Sequence, residues 1–360
     1  MRYIGSKKLL LEEIERVIEE NIVNAESFCD IFSGTACVGN YFKKKYKIIS
    51  NDLLYFSYCI QKAVIETNFM PEFKRVGFNP IEYFNNLSEK ELLNLPQEKR
   101  FCLNNYSPLG NRMYLSEKNG VKIDFIRNKI EEWRGKSLIN ESEYFYLIAV
   151  LIEAIPFISN ISGTYGAYNK FWDKRSLKEL TLKDLPLIDL PLFDNGKENK
   201  AFNENSNDLI KKIKGDILYI DPPYNKRQYS SNYHLLETVA RYDNPALKGV
   251  TGLRENDKKS DYCKKNSVLK SFEDLISNAQ FKHILVSYST EGLMGVNDIE
   301  GVLRKYGKDY KMYEIEYRRF KSRGKCNTLN VKENAILPFR GKCKQEDNLK
   351  ELIFYVRKDL

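Results

Sequence analysis

The apolar run Ile217-Leu218-Tyr219-Ile220 stops abruptly at Asp221-Pro222-Pro223-Tyr224, and no other stretch restricts the folding of this chain so tightly. Consecutive residues of these types form a strand covered on both faces, and such strands present functional groups at their carboxyl ends. Asp221 stands at that end. Pro222 and Pro223 fix φ and carry no N–H, so they stop the strand and leave nearby carbonyls free to accept hydrogen bonds. Tyr224 adds a flat ring beside those acceptors. Acceptors next to a stacking ring suit a planar heterocycle that carries an exocyclic amine and is held outside a duplex.

The earlier part of the chain has the rhythm of a doubly wound fold. An amphipathic helix carrying Leu10, Ile14, Val17 and Ile18 follows the basic segment Arg2 to Lys7. Ser27 to Phe32 reads as a short buried strand, and the small residues Ser33 to Gly39 form a turn that opens a helix toward Lys45. Such a turn lets a ligand approach the backbone and offers it the N–H groups of a helix start. The next strand, Tyr46 to Ser50, ends at Asn51-Asp52, where folds of this class place an acid for ribose hydroxyls. Asp52 suits equally well the cap of a helix starting at Leu53.

Between Met70 and Lys200 the rhythm stops. Asn104, Asn105, Tyr106, Asn111, Arg112 and Tyr114 crowd one segment, and helix candidates follow at Ile123 to Trp133 and Glu141 to Ile155. A glycine-broken loop, Asn160 to Trp172, then interleaves aromatic residues with bases such as Lys170, a composition suited to phosphates or base edges. We read residues 70–200 as an inserted lobe. Strands resume at Asp216 to Ile220 and His283 to Tyr288, and the alternating segments Met312 to Phe320 and Glu351 to Lys358 read as an antiparallel pair. Two basic runs lie among them. One holds Lys226, Arg227, Arg254, Lys258, Lys259, Lys264 and Lys265, the other Arg318, Arg319, Lys321, Arg323 and Lys325. Beside a pocket for a base, they read as phosphate contacts.

Composition narrows the class further. A length of 360 residues with 42% hydrophobic content fits two lobes, and 58 Lys and Arg against 49 Asp and Glu give a formal charge of +9 that favours polyanionic partners. Seven cysteines (Cys29, Cys37, Cys59, Cys102, Cys263, Cys326, Cys343) occur without a Cys-x-x-Cys pair, and His234 and His283 are the only imidazoles. Neither a metal site nor a disulfide framework is expected. Glu12 falls too early for a signal peptide, and Glu153 interrupts the most apolar helix candidate. The expected location is the cytoplasm.

Taken in order, these segments resemble the D12-class (alpha-group) adenine-specific DNA methyltransferases over nearly the whole chain. The resemblance implies a Rossmann-like α/β fold with a mostly parallel sheet ending in an antiparallel hairpin, plus the inserted, mainly helical target-recognition lobe. It divides the chain into a cofactor-binding part of the core (1–69), the lobe (70–200) and a catalytic part of the core (201–360). S-adenosylmethionine is the implied cofactor. Tyr3 and Lys7 would hold its methionine part, Asp30, Phe32 and Gly34 the turn beneath it, and Asp52 its ribose. Asn205 stands near the place where many relatives carry an acid facing the adenine of the cofactor, and Ala36 stands where the family usually has glycine. Asp221, Pro222, Pro223 and Tyr224 match the catalytic motif, Asp221 also touching the cofactor and Tyr224 stacking on a flipped base. Asn111, Arg112, Lys170, Arg227, Lys258 and Lys259 are the expected contacts to double-stranded DNA. A restriction endonuclease acting on the same site is an expected partner. Cytosine N4, adenine in RNA, and a non-catalytic nucleic-acid-binding role on the same scaffold are the competing readings.

Overall fold

The computed structural model describes residues 3–185, 192–255, 258–316 and 350–359. Arg2, the basic run from Arg318 to Lys325, and the expected strand end at 317–320 lie outside these residues. The architecture is built on a seven-stranded sheet. Its strands are β1 (Ser27–Asp30), β2 (Lys47–Asn51), β3 (Lys200–Phe202), β4 (Lys214–Ile220), β7 (Gln280–Ser289), β8 (Lys308–Glu316) and β9 (Lys350–Arg357), in the order β3-β2-β1-β4-β7-β9-β8. A separate two-stranded hairpin comprises β5 (Leu247–Lys248) and β6 (Leu253–Arg254).

β3, β2, β1, β4 and β7 pair in parallel, whereas β9 is antiparallel to both β7 and β8. The expected antiparallel pair therefore forms, with β8 starting four residues earlier than its alternation indicated, at Lys308.

Side-chain alternation explains why the sheet is covered on both faces. Phe28, Ile217, Tyr219, Leu285 and Ile353 enter one apolar cluster, while their neighbours Cys29, Leu218, Ile220, Ile284 and Leu352 enter the other. A period of two in strands apolar on both sides requires helices on each face. The second cluster is closed by the helices Val268–Asn278 and Val296–Tyr306. The first is closed by α1 (Leu11–Asn21), α2 (Cys37–Phe42) and α3 (Tyr55–Gln61), and it continues into the helices of the 70–200 segment. Among these, Glu141–Ala154 is buried from Glu143 onward and packs against α3, as its all-round apolar sequence requires. A capping box between Asn140 and Glu143 sets its start. Among the described residues no helix is long and apolar enough to cross a membrane.

α3 begins without a local side-chain cap. Its first N–H groups instead reach across the fold to Glu237, on the helix His234–Arg241. Glu237 Oε1 accepts from Tyr55 N at 3.1 Å and Oε2 from Phe56 N at 3.0 Å. The carboxylate is 1% exposed, and Arg241 Nε donates to it at 2.6 Å. One buried acid thus ties the helix beyond the Asp221 corner to the helix beyond β2. Glu237→Ala is expected to lower the unfolding free energy by about 2 to 4 kcal/mol, because it strands two N–H groups and a guanidinium. Urea denaturation measures this, and an unchanged midpoint would show that the cap contributes nothing.

Candidate active site

Asp30, Asn51 and Ile220 end adjacent parallel strands, so β1, β2 and β4 deliver their last residues to one edge of the sheet. A cleft of about 520 Å³ opens there, lined among others by Tyr3, Phe32, Asp52, Asn205, Asp221 and Tyr224. Volumes of this size hold small-molecule ligands.

The turn after β1 is tightly determined. Gly34 has φ +51, and a Cβ on it would lie 2.7 Å from Cε1 of Tyr3, so only glycine fits beneath that ring. Ala36 also adopts the left-handed region, at φ +61, where its methyl carries a strain that glycine would not. Gly34 N donates to Asp52 Oδ2 at 2.9 Å, and Leu54 N donates to Asp52 Oδ1 at 2.8 Å. Asp52 is therefore a brace between two loops. It is not the helix cap that its position also allowed, since α3 starts at Tyr55 and takes its cap from Glu237.

Tyr3 stacks on Tyr233, with ring centroids 4.9 Å apart, and the Tyr233 hydroxyl accepts from Ile4 N at 2.8 Å. The amino-terminal segment is thereby clamped over the cleft. Lys7 is 4% exposed, and its Nζ donates to Glu351 Oε2 at 3.2 Å. The same nitrogen lies 3.3 Å from Asp221 Oδ1 as an ion pair, yet Oδ1 is fully covered and has no hydrogen bond. Lys7 also sits 5.8 Å from the centre of the Tyr224 ring.

Burial dominates the electrostatics of this edge. It holds Asp221 up to about 6, a rise that Lys7 opposes and Glu351 reinforces. Burial raises Asp52 to about 6 against the two N–H bonds it accepts. Asp30 is raised to about 8 by burial and then by the charge of Asp221, and its Oδ1 also lacks a partner. Unpaired buried acceptors beside a cleft are suited to a ligand that donates hydrogen bonds or carries positive charge. These acceptors fit the methionine ammonium and the ribose hydroxyls of S-adenosylmethionine. Asn205 lines the cleft and caps the short helix Ser206–Leu209 by accepting from Asn207 N at 2.9 Å, which leaves its amide oxygen one lone pair.

The expected DNA contacts separate into two groups. Asn111, Lys170, Lys258 and Lys259 are exposed, and Lys258 lines the cleft. The arginines are engaged by the protein itself. Arg112 donates to the carbonyls of Asn105, Gly110, Gly249 and Val250, locking the β5–β6 hairpin. Arg227, although exposed, donates to Gly166 O at 3.1 Å and so holds the 160–172 loop near the catalytic corner. Arg254 is 7% exposed and paired with Asp243, which corrects its place in the basic run read from the sequence. Glu237 and Glu351 were not singled out by any motif. Each lies in an apolar stretch with no signal except its own charge.

Comparison with known proteins adds a separate line of support. The profile of the D12 class N6 adenine-specific DNA methyltransferases matches residues 3–301. The chain is 48% identical to "Type II methyltransferase M.FokI" of Planomicrobium okeanokoites, covering 100% of this chain and 53% of that protein. It is 44% identical to "Modification methylase StsI" of Streptococcus sanguinis, covering 99% and 52%. With "Type II methyltransferase M.NlaIII" of Neisseria lactamica it shares 38% identity over 94% of this chain and 98% of that one. The chain thus spans about half the length of the first two relatives.

The raised acids fix the sign of the pH response. Asp30, Asp52 and Asp221 are protonated in the folded state at pH values where the unfolded chain has released those protons, so the folded state binds more protons and stability falls as pH rises. Asp124, lifted to about 7 by burial, acts in the same direction. The ligand-free protein is expected to lose stability steadily between about pH 5 and pH 8. Asp30→Asn should flatten that loss and add about 1 to 3 kcal/mol at the alkaline end. Thermal unfolding across this range is the check, and stability that climbs with pH would refute it.

Proposed function

The chain belongs to the D12 class N6 adenine-specific DNA methyltransferase family, and we propose that it methylates N6 of an adenine turned out of double-stranded DNA, using S-adenosylmethionine, as the modification enzyme of a restriction-modification system. The observation that carries this reading is Asp221, whose side chain lines the cleft while its covered Oδ1 has no hydrogen bond. Bound S-adenosylmethionine supplies an electrophilic sulfonium methyl group.

The residues of the chain do the rest by position and charge. Tyr3, Phe32 and Gly34 shape the floor, Asp30 and Lys7 face the methionine end, and Asp52 keeps a lone pair on each oxygen for ribose hydroxyls. The spare lone pair of Asn205 serves the adenine amine of the cofactor. Asp221 and the Pro222 carbonyl accept the two hydrogens of the target amine, which localises on nitrogen a lone pair otherwise spread into the ring. Pro223 holds the corner rigid, and Tyr224 stacks on the base. Such preorganised acceptors and alignment supply the acceleration. Turning the base out costs a few kcal/mol, which stacking and phosphate contacts offset.

We assign Lys170, Lys258 and Lys259 to phosphates and Asn111 to base edges, on the inserted lobe (70–200) and the core around it (1–69 and 201–360). Arg112 and Arg227 act one step back, by holding the hairpin and loop that meet DNA. The relatives named as modification methylases support an endonuclease of the same site as partner.

Incubation with DNA and S-adenosylmethionine should give N6-methyladenine by nucleoside mass spectrometry. Finding N4-methylcytosine would move the target to cytosine, and no product despite binding of DNA and cofactor would overturn the enzymatic reading. Asp221→Ala should abolish turnover at saturating cofactor, and Tyr224→Ala should lose roughly 1 to 3 kcal/mol of base stacking. The wild-type rate should fall as pH drops through about 6, since Asp221 accepts only while ionised.

Replacing Lys258 and Lys259 with Ala should lower the slope of log affinity against log salt by about one for each lysine, with the methylated sequence unchanged. A slope identical to wild type would remove both from the DNA surface.

A further inference from the structure

β9 runs opposite to its neighbours β7 and β8, so it brings its first residues, where β1, β4 and β7 bring their last, to the functional edge of the sheet. Glu351 is paired with Ser289 there and is 7% exposed. It shares the Lys7 ammonium with Asp221, but the sharing is unequal. Glu351 Oε2 receives a hydrogen bond at 3.2 Å, whereas Asp221 Oδ1, at 3.3 Å, receives none. A buried carboxylate and ammonium left alone at this distance would close into a direct bond, because nothing else satisfies either. A second carboxylate on the far side prevents that closure.

We propose that Glu351 is a positioning residue that draws the Lys7 ammonium aside, so that Asp221 keeps a neighbouring positive charge while its carboxylate, which lines the cleft, stays free to accept from the substrate amine. The role of the Asp221 carboxylate rests on the function proposed above. The pull on Lys7 does not. The other groups that act on this cluster are Asp30 on β1, Tyr219 on β4, and Tyr224 and Tyr229 beyond the corner. None of them bonds Lys7 in place of Glu351, so a change at position 351 isolates the effect. Glu351 also adds negative charge that makes Asp221 more basic, which strengthens it as an acceptor.

The experiment follows the Asp221 carboxyl by carbon-13 NMR in the full chain, assigned with Asp221→Asn, alongside single-turnover methyl transfer to DNA across pH. In Glu351→Gln the titration of Asp221 should move down by about one pH unit or more. The maximal rate should fall roughly tenfold or more, and its acid limb should follow the titration downward. Cofactor affinity should hold. Glu351→Asp keeps the charge with a shorter reach and should restore most of both, which also serves if the Gln variant folds poorly. Wild-type titration and rate in a folded Gln variant would overturn the proposal, as would a loss confined to cofactor affinity. A wild-type protein that methylates no DNA would refute the functional reading, while the titration still decides whether Glu351 governs the Lys7 pair.

Discussion

A single buried ammonium, Lys7 Nζ, stands between two carboxylates at the edge where the Asp221 corner, the segment before α1 and β9 meet. At an effective dielectric constant near 20, opposite charges at such a separation attract by on the order of 5 kcal/mol. Removing each ion from water costs several kcal/mol, so the attraction is largely cancelled. Stability therefore does not explain the cluster. With Asp30 and Asp52 nearby and raised by burial, the edge has more acid among the described residues than Lys7 balances. Such an imbalance is relieved by a ligand that brings positive charge or donor hydrogens, and the fold holds it ready for one.

What holds it ready is mostly backbone. Parallel pairing brings the ends of β1, β2 and β4 together, Gly34, which leaves room for the Tyr3 ring above it, shapes the turn, and Asp52 braces that turn against the loop before α3. The same economy governs the side proposed to face nucleic acid. Arg112 and Arg227 carry forked donors suited to carbonyl oxygens, and they fasten a hairpin and a loop. Lys170, Lys258 and Lys259, as flexible point charges, remain on the surface. This side is thus divided between residues that shape loops and residues left exposed.

Much of this was legible in the sequence, for physical reasons. An apolar run ending in Asp-Pro-Pro-Tyr has few alternatives to a buried strand and a rigid corner, and alternation placed the last two strands beside each other. The small-residue turn and Asp52 were found because spacing along the chain is itself the signal. Arg254 was misjudged because linear charge does not reveal burial, and Asp243 pairs with it only after the chain reverses near the hairpin. Glu351 was invisible for a different reason. Its partner Lys7 is 344 residues away, and a charged residue opening a strand looks like any solvent-facing start. Glu237 likewise caps a helix that lies far from it in sequence.

The need for two neighbours of opposite sign follows from what the proposed methyl transfer asks of Asp221. A carboxyl buried with no counterion rises far enough to be protonated at neutral pH, and then it offers its hydrogen where an acceptor is required. A carboxylate bonded directly to a buried ammonium falls far enough to stay ionised, but its lone pair is occupied and its basicity is poor. Asp221, held at about 6, lies between these limits. Lys7 supplies the charge that keeps it ionised, and Glu351 supplies the competing acceptor that keeps Lys7 from capping it. The reversed last strand is what makes this balance possible, because a strand running with the others would bring its far end to that edge and leave Glu351 on the opposite side of the sheet.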